Sequence, residues 1–191
     1  MPAHPAALEF LRTRRSRPAK TLSLPAPDRA ALMEILQIGA RSPDHGMLEP
    51  WRFLVLQGDA LKRISTQVEA RASAMGKPAD QVEKARNAFA NAPCSIAVVS
   101  APKASGKVPE VEQILSAGAV CLSLLNGALA SGWGANWITG WMAFDRPLLQ
   151  DCFALQPNEF IAGFIHIGTE TVVPADRKRP DVNALTDWID A

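Results

Sequence analysis

The chain has 191 residues and a formal net charge of +1, with 48% apolar residues. That length suffices for one sizeable domain with its own core, and the balanced charge sets no electrostatic demand for nucleic acid, a membrane surface or an acidic partner. Three well-separated cysteines, Cys94, Cys121 and Cys152, form no CxxC pair, which argues against a disulfide framework and for a reducing compartment. No apolar run of signal length opens the chain, and no charge-free apolar run of about 18 residues follows. The expectation is therefore a cytoplasmic protein without a membrane span.

Residues 6–14 read as a short helix with Leu8 and Leu11 on one side. The cluster Arg12, Arg14, Arg15 and Arg17 follows, with Ser16 inside it. Two readings are open here. Cations at a helix C-terminus are favoured by the dipole, so the cluster is a solvated cap. Alternatively, Arg-Arg-Ser is an anion site offering two forked donors and a hydroxyl. Asp28 predicts the N-cap of a helix running to about Arg41, with Leu32, Ile35, Leu36 and Gly39 on one face.

Residues 42–56 form the stretch around which the chain is organised. Pro43, Gly46 and Pro50 fix a turn, and the two prolines push Ser42 and Glu49 toward extended backbone. The turn is expected to be rigid and to present His45 and Glu49 at the mouth of a sheet, with Trp51 as a core anchor. It reads either as a plain helix-to-strand connection or as a binding loop. A strand over 52–57 follows, then amphipathic helices over 60–75 and 79–91, broken at Gly76 and Pro78. Cys94–Ser100 reads as a buried strand, and residues 101–109 as a solvent-facing loop. Residues 110–131 mix Leu115, Ala117, Gly118, Val120, Leu122 and Leu125 around all sides. A helix apolar all round is expected to be buried all round, in the domain centre or at a subunit interface. Gly132-Trp133-Gly134 ends it. A short strand over 135–139, a helix over Arg146–Phe153 capped by Asp145, and a strand over 160–168 complete the pattern. One domain over residues 1–191 is expected, with 169–191 an extended tail. Trp188 and Ile189 are expected to anchor that tail.

Several chemistries have no support. There is no GxGxxG, no GxxxxGK[ST] and no GxSxG. His4, His45 and His166 have no metal-ligand spacing with each other or with the cysteines, so no metal site is expected. His166, inside an apolar strand, reads as a hydrogen-bonded core histidine. The chain has no Tyr, which removes phenol acid–base chemistry. Two Arg clusters could serve a nucleic-acid binder, but they lack interleaved aromatics.

The remaining groups carry a resemblance. Arg14-Arg15-Ser16, the PDH-x4-PW-x-F pattern at residues 43–53, the helix at 112–131 before a Gly-rich turn, Trp137-Ile138-Thr139, the Gly-Thr ending of 163–169 and the basic Arg177-Lys178-Arg179-Pro180 segment occur in order. Together they resemble the FMN-dependent nitroreductase family, most of all its compact bacterial branch. The resemblance implies an α+β fold, a central mixed β-sheet flanked by helices in an intertwined homodimer with FMN at the interface. It implies that Arg14, Arg15 and Ser16 hold the FMN phosphate and ribityl chain. His45 and Glu49 would reach the ring from the partner chain. Trp137, Ile138 and Thr139 would line the ring, and Arg177 or Arg179 would add charge at the phosphate. Gly127, Ala128, Leu129, Ala130, Ser131 and Gly132 would meet the nicotinamide nucleotide.

The implied activity is ping-pong hydride transfer from NAD(P)H to a nitroaromatic, quinone or similar small acceptor. Hydride travels through FMN N5, and no side chain is catalytic. Two positions depart from the family pattern: relatives usually carry Gln where Glu49 stands, and the compact branch often has Arg where Ile138 stands. A flavin-binding carrier or regulator without turnover is the alternative that these departures leave open.

Overall fold

The computed structural model describes residues 2–190. Met1 and Ala191, the ends of the expected domain, lie outside the described residues. The chain runs through α1 (Pro5–Thr13), β1 (Leu22–Ser23), α2 (Arg29–Gly39), β2 (Trp51–Gln57), α3 (Asp59–Ala74), α4 (Ala79–Ala90), β3 (Cys94–Ser100), α5 (Glu110–Ala130), β4 (Gly134–Ile138), α6 (Arg146–Phe153) and β5 (Phe160–Glu170). Two helix starts have the expected side-chain caps: Asp28 accepts from Ala31 N, and Asp145 accepts from Leu148 N.

The strands form one sheet in the order β1-β5-β3-β2, with β4 also paired to β5. Every pairing among the described residues is antiparallel, so the fold is α+β but the expected mixed sheet is not found. Connectivity is the reason. The two helices α3 and α4 return the chain to the end of the sheet that β2 left, so β3 runs back along β2. Strands β3 and β4 run the same way, and β5 inserts between them.

Helices cover both faces. Leu32 and Ile35 of α2 and Val120 and Leu124 of α5 pack on Cys94, Ile96, Val98, Ile165 and Ile167. On the other face, Ile64, Val68, Phe89, Leu149 and Phe153 from α3, α4 and α6 pack on Ala97, Val99, Ile161 and Phe164. Strand β3 is therefore buried along its whole length, its serines Ser95 and Ser100 included. Gly39 lets α2 and α5 meet closely, since a Cβ there would lie 2.5 Å from Leu124 Cδ2.

One expectation is corrected, and two concern surfaces that a single chain leaves open. Helix α5 is buried only on the side facing the sheet and α2, while Val111, Leu115 and Leu122 stand exposed in a row on its other side. By length and composition α5 could cross a membrane, but half of that stretch is buried in the fold. His166 is not the expected hydrogen-bonded histidine: it is fully buried in β5, and neither ring nitrogen has a hydrogen-bond partner among the described residues. Its ring sits edge-on to Phe89 at 5.9 Å, and burial pushes its pKa down to about 4. Trp188 and Ile189 are 83% and 87% exposed, so the tail end is not anchored on its own chain.

Candidate functional site

The basic segment after α1 is tied to the sheet by its backbone. Arg17 N donates to Ala135 O at 2.8 Å, and Asn136 Nδ2 donates to Arg17 O at 2.5 Å. This places the arginines beside the C-terminal end of α5, where Gly132 turns the chain with φ 85°. Between the two segments lies a cleft of about 570 Å³, lined by Arg14, Arg15, Arg17, Leu129, Ser131, Gly132 and Trp133 among others.

The three arginines differ in their partners. Arg17 pairs with Glu170 at the cleft edge. Arg14 Nη2 donates to Ser16 Oγ at 3.1 Å, and Arg15 Nε lies 3.8 Å from Asp176. The Nε atoms of Arg14 and Arg15 are buried with no acceptor. Burial, then the charges of Arg179, Arg15 and Arg17, push the pKa of Arg14 down. Guanidinium groups nevertheless stay protonated, so the cleft gathers cations, and the buried Nε–H donors of Arg14 and Arg15 have no hydrogen-bond acceptor among the described residues. Arg179 is the tail residue that reaches this field. Its Nη2 also donates to Asp176 Oδ1 at 2.9 Å, whereas Arg177 contributes its backbone N–H to the same oxygen.

The loop after α2 is rigid for reasons the sequence shows only in part. Glu49 is not extended as expected before Pro50: Met47 and Glu49 both adopt left-handed backbone, with φ 51° and 47°, a conformation unfavourable for residues with a side chain. Asp44 holds it: one carboxylate oxygen accepts from Leu48 N at 3.2 Å and the other from Glu49 N at 2.7 Å. Helix α5 clamps the outside. Trp51 Nε1 donates to Ser116 Oγ at 3.1 Å, and Ser116 Oγ donates to Pro43 O at 2.7 Å. One turn earlier, Glu112 Oε2 lies 2.6 Å from His45 Nδ1.

At the end of β4, successive side chains alternate across the sheet. Ile138 is half-buried and packs against the core beneath α3 and α6. Trp137 lies on the opposite face over Gly163, where a Cβ would come within 2.6 Å of its Cδ1. Thr139 is exposed just beyond the strand.

The cleft thus unites Arg14 and Arg15 with Leu129, Ser131 and Gly132, and Ser16 joins through Arg14. Gly127 and Ala128 do not belong to it. Ala128 is buried in the core, and a Cβ on Gly127 would meet Ile38 at 3.1 Å. His45, Glu49, Trp137 and Thr139 do not line the cleft either. Sequence reasoning missed Asp44, Glu112, Ser116, Asn136 and Glu170. Only Asp44 left a local sign, an aspartate opening a Gly-containing turn; the others act across 65 residues or more.

Comparisons with known proteins show the family. The Nitroreductase family model matches residues 11–169. The chain belongs to the nitroreductase family. A curated relative, "Putative NAD(P)H nitroreductase YdjA" of Escherichia coli (strain K12), is 38% identical over 163 residues, covering 85% of this chain and 87% of that protein. Among solved structures, a nitroreductase-like family protein from Bacillus cereus superposes with a TM-score of 0.82 at 20% identity, covering 100% of both chains. A nitroreductase from Desulfovibrio desulfuricans, solved in complex with FMN, reaches a TM-score of 0.74 at 22% identity, also covering 100% of both chains. At these identities the solved structures establish the nitroreductase-like fold. The matched region includes Arg14, Arg15 and the clamped loop, while Glu170, Arg177 and Arg179 lie beyond it.

Proposed function

We propose that this nitroreductase-family chain binds FMN and reduces small acceptors, nitroaromatics or quinones among them, by ping-pong use of NAD(P)H. The observation that carries the reading is the pair of buried Nε–H donors of Arg14 and Arg15 in the cleft, which have no hydrogen-bond acceptor among the described residues. A phosphate supplies the fork-shaped acceptor such donors lack. FMN in turn supplies the hydride chemistry that no side chain of the chain offers.

In this reading Arg14, Arg15 and Ser16 grip the phosphate, with Arg179 adding charge. Leu129, Ser131 and Gly132 form the edge over which the nicotinamide nucleotide passes. Trp137 and the backbone of Ile138 and Thr139 face the ring. His45 and Glu49 reach the ring from a second copy of the chain, because their loop stands apart from the cleft of its own chain. The exposed row Val111, Leu115 and Leu122 and the undocked Trp188 and Ile189 supply apolar surface for that second copy. Sedimentation is expected to give a dimer.

The deciding experiment is anaerobic. Purified protein loaded with FMN is expected to bleach rapidly with NADH or NADPH and to recover its colour on adding nitrofurazone or a quinone. Protein that takes up no FMN removes the proposal. Protein that binds FMN but does not bleach leaves the carrier reading in its place.

A further inference from the structure

The clamp on the loop contains one residue, Glu112, that the flavin reading does not use. His45 Nδ1 and Glu112 Oε2 are 2.6 Å apart, and their side chains are 62% and 45% exposed. Glu112 sits in the first turn of α5, where the helix dipole favours a carboxylate. It lies four residues before Ser116, so both project from one stripe of the helix. That stripe holds the loop at Pro43 O, at the His45 ring and at the Trp51 indole. The loop between these points is braced from within by Asp44. A Cβ on Gly46 would touch Val108 Cγ2 at 3.4 Å, so the loop rests against the segment leading into α5.

An imidazole has its two nitrogens on opposite sides of the ring. Fixing Nδ1 against α5 therefore aims Nε2 away from the chain's own helix. A carboxylate can only accept. In the neutral ring the proton then resides on Nδ1, and Nε2 is left as an acceptor. We propose that Glu112 is the positioning residue for His45. It holds the Nδ1–H tautomer and orients Nε2 to accept an N–H or O–H of the flavin bound between two copies. The inference rests on the placement of His45 at the flavin proposed above. Half-exposed ion pairs contribute little to stability, so a merely structural pair leaves cofactor binding unmoved when it is broken.

The test uses the FMN-loaded protein with Glu112→Ala and Glu112→Gln. With three histidines in the chain, long-range nitrogen–proton spectra of histidine-labelled protein, assigned with His45→Asn, read the tautomer of His45 directly. Wild type is expected in the Nδ1–H form under alkaline conditions. Glu112→Ala is expected to move His45 to the Nε2–H form and to weaken FMN about tenfold, the scale at which orienting partners act on ligands. Glu112→Gln, whose amide oxygen still accepts, is expected to keep the Nδ1–H form and most of the affinity. The thermal midpoint of the apoprotein is expected to stay level in both. An unchanged tautomer in Glu112→Ala, or a switched tautomer with unchanged FMN affinity, overturns the proposal. If His45→Asn binds FMN as wild type does, the placement of His45 at the flavin fails, and the spectra still report separately on the pair.

Discussion

Replacing His166 with Leu should flatten the dependence of stability on pH in a window set by this one residue. In the folded chain the ring is fully buried without partners, and its pKa falls from 6.5 to about 4 because of that burial. An unfolded chain takes up the proton near 6.5. Between the two values the unfolded state binds more protons than the native state, so stability falls as pH drops. Above 6.5 the full stability is present, and below about 4 the loss is complete. The gap between those two values converts to about 3 kcal/mol. Leu fills a similar volume and removes both unsatisfied nitrogens, a change expected to be neutral or stabilising near pH 7. Urea midpoints of the FMN-saturated protein, taken between about pH 7 and about pH 4.5, should diverge between wild type and variant as acid is added. Curves that stay parallel across the window would show that His166 is hydrated or partnered, and the reasoning would fail.

Other substitutions probe the cleft, the ring and the acid limb. Arg14→Ala should weaken FMN by about 100-fold or more, since two charge-assisted hydrogen bonds at about 1.5–3 kcal/mol each are lost. Because Arg179, Arg15 and Arg17 crowd Arg14, the melting point of the apoprotein should not fall; equilibrium dialysis and calorimetry check the two halves. Glu49→Gln should raise the flavin midpoint potential, because a carboxylate facing the ring disfavours its anionic reduced form; a potential that fails to rise in spectroelectrochemistry refutes this. Hydrogen bonds from Arg71 and Arg52 hold Asp145 and Glu159 below their ordinary values of 3.8 and 4.5. Their stabilisation is present above that range and lost as pH falls through the depressed values, a limb distinct from that of His166. Asp145→Asn should lose about 1–2 kcal/mol at neutral pH while keeping the helix cap, and should shrink the acid limb in urea titrations.

The order and ends of the larger elements follow from local chemistry, so they were legible along the chain. Asp28 and Asp145 cap helices where they stand, because an N-cap contact spans three residues. The apolar residues 96–99 of β3 point to burial on both faces, whereas the Arg-Arg-Ser cluster by itself leaves a solvated cap and an anion site both open. Tertiary structure decided matters that depend on residues distant in sequence. Insertion of β5 between β3 and β4 made the sheet antiparallel, since strand pairing is chosen by the path of the intervening helices. The apolar sides of α5 are alike in composition, yet only packing against α2 and the sheet selects which side is covered. The loop at His45 is held by Glu112 and Ser116, 65 residues or more from the groups they contact. Nor does the apolar setting of His166 reveal whether its nitrogens find partners. That depends on which side chains the neighbouring strands and helices bring against its ring.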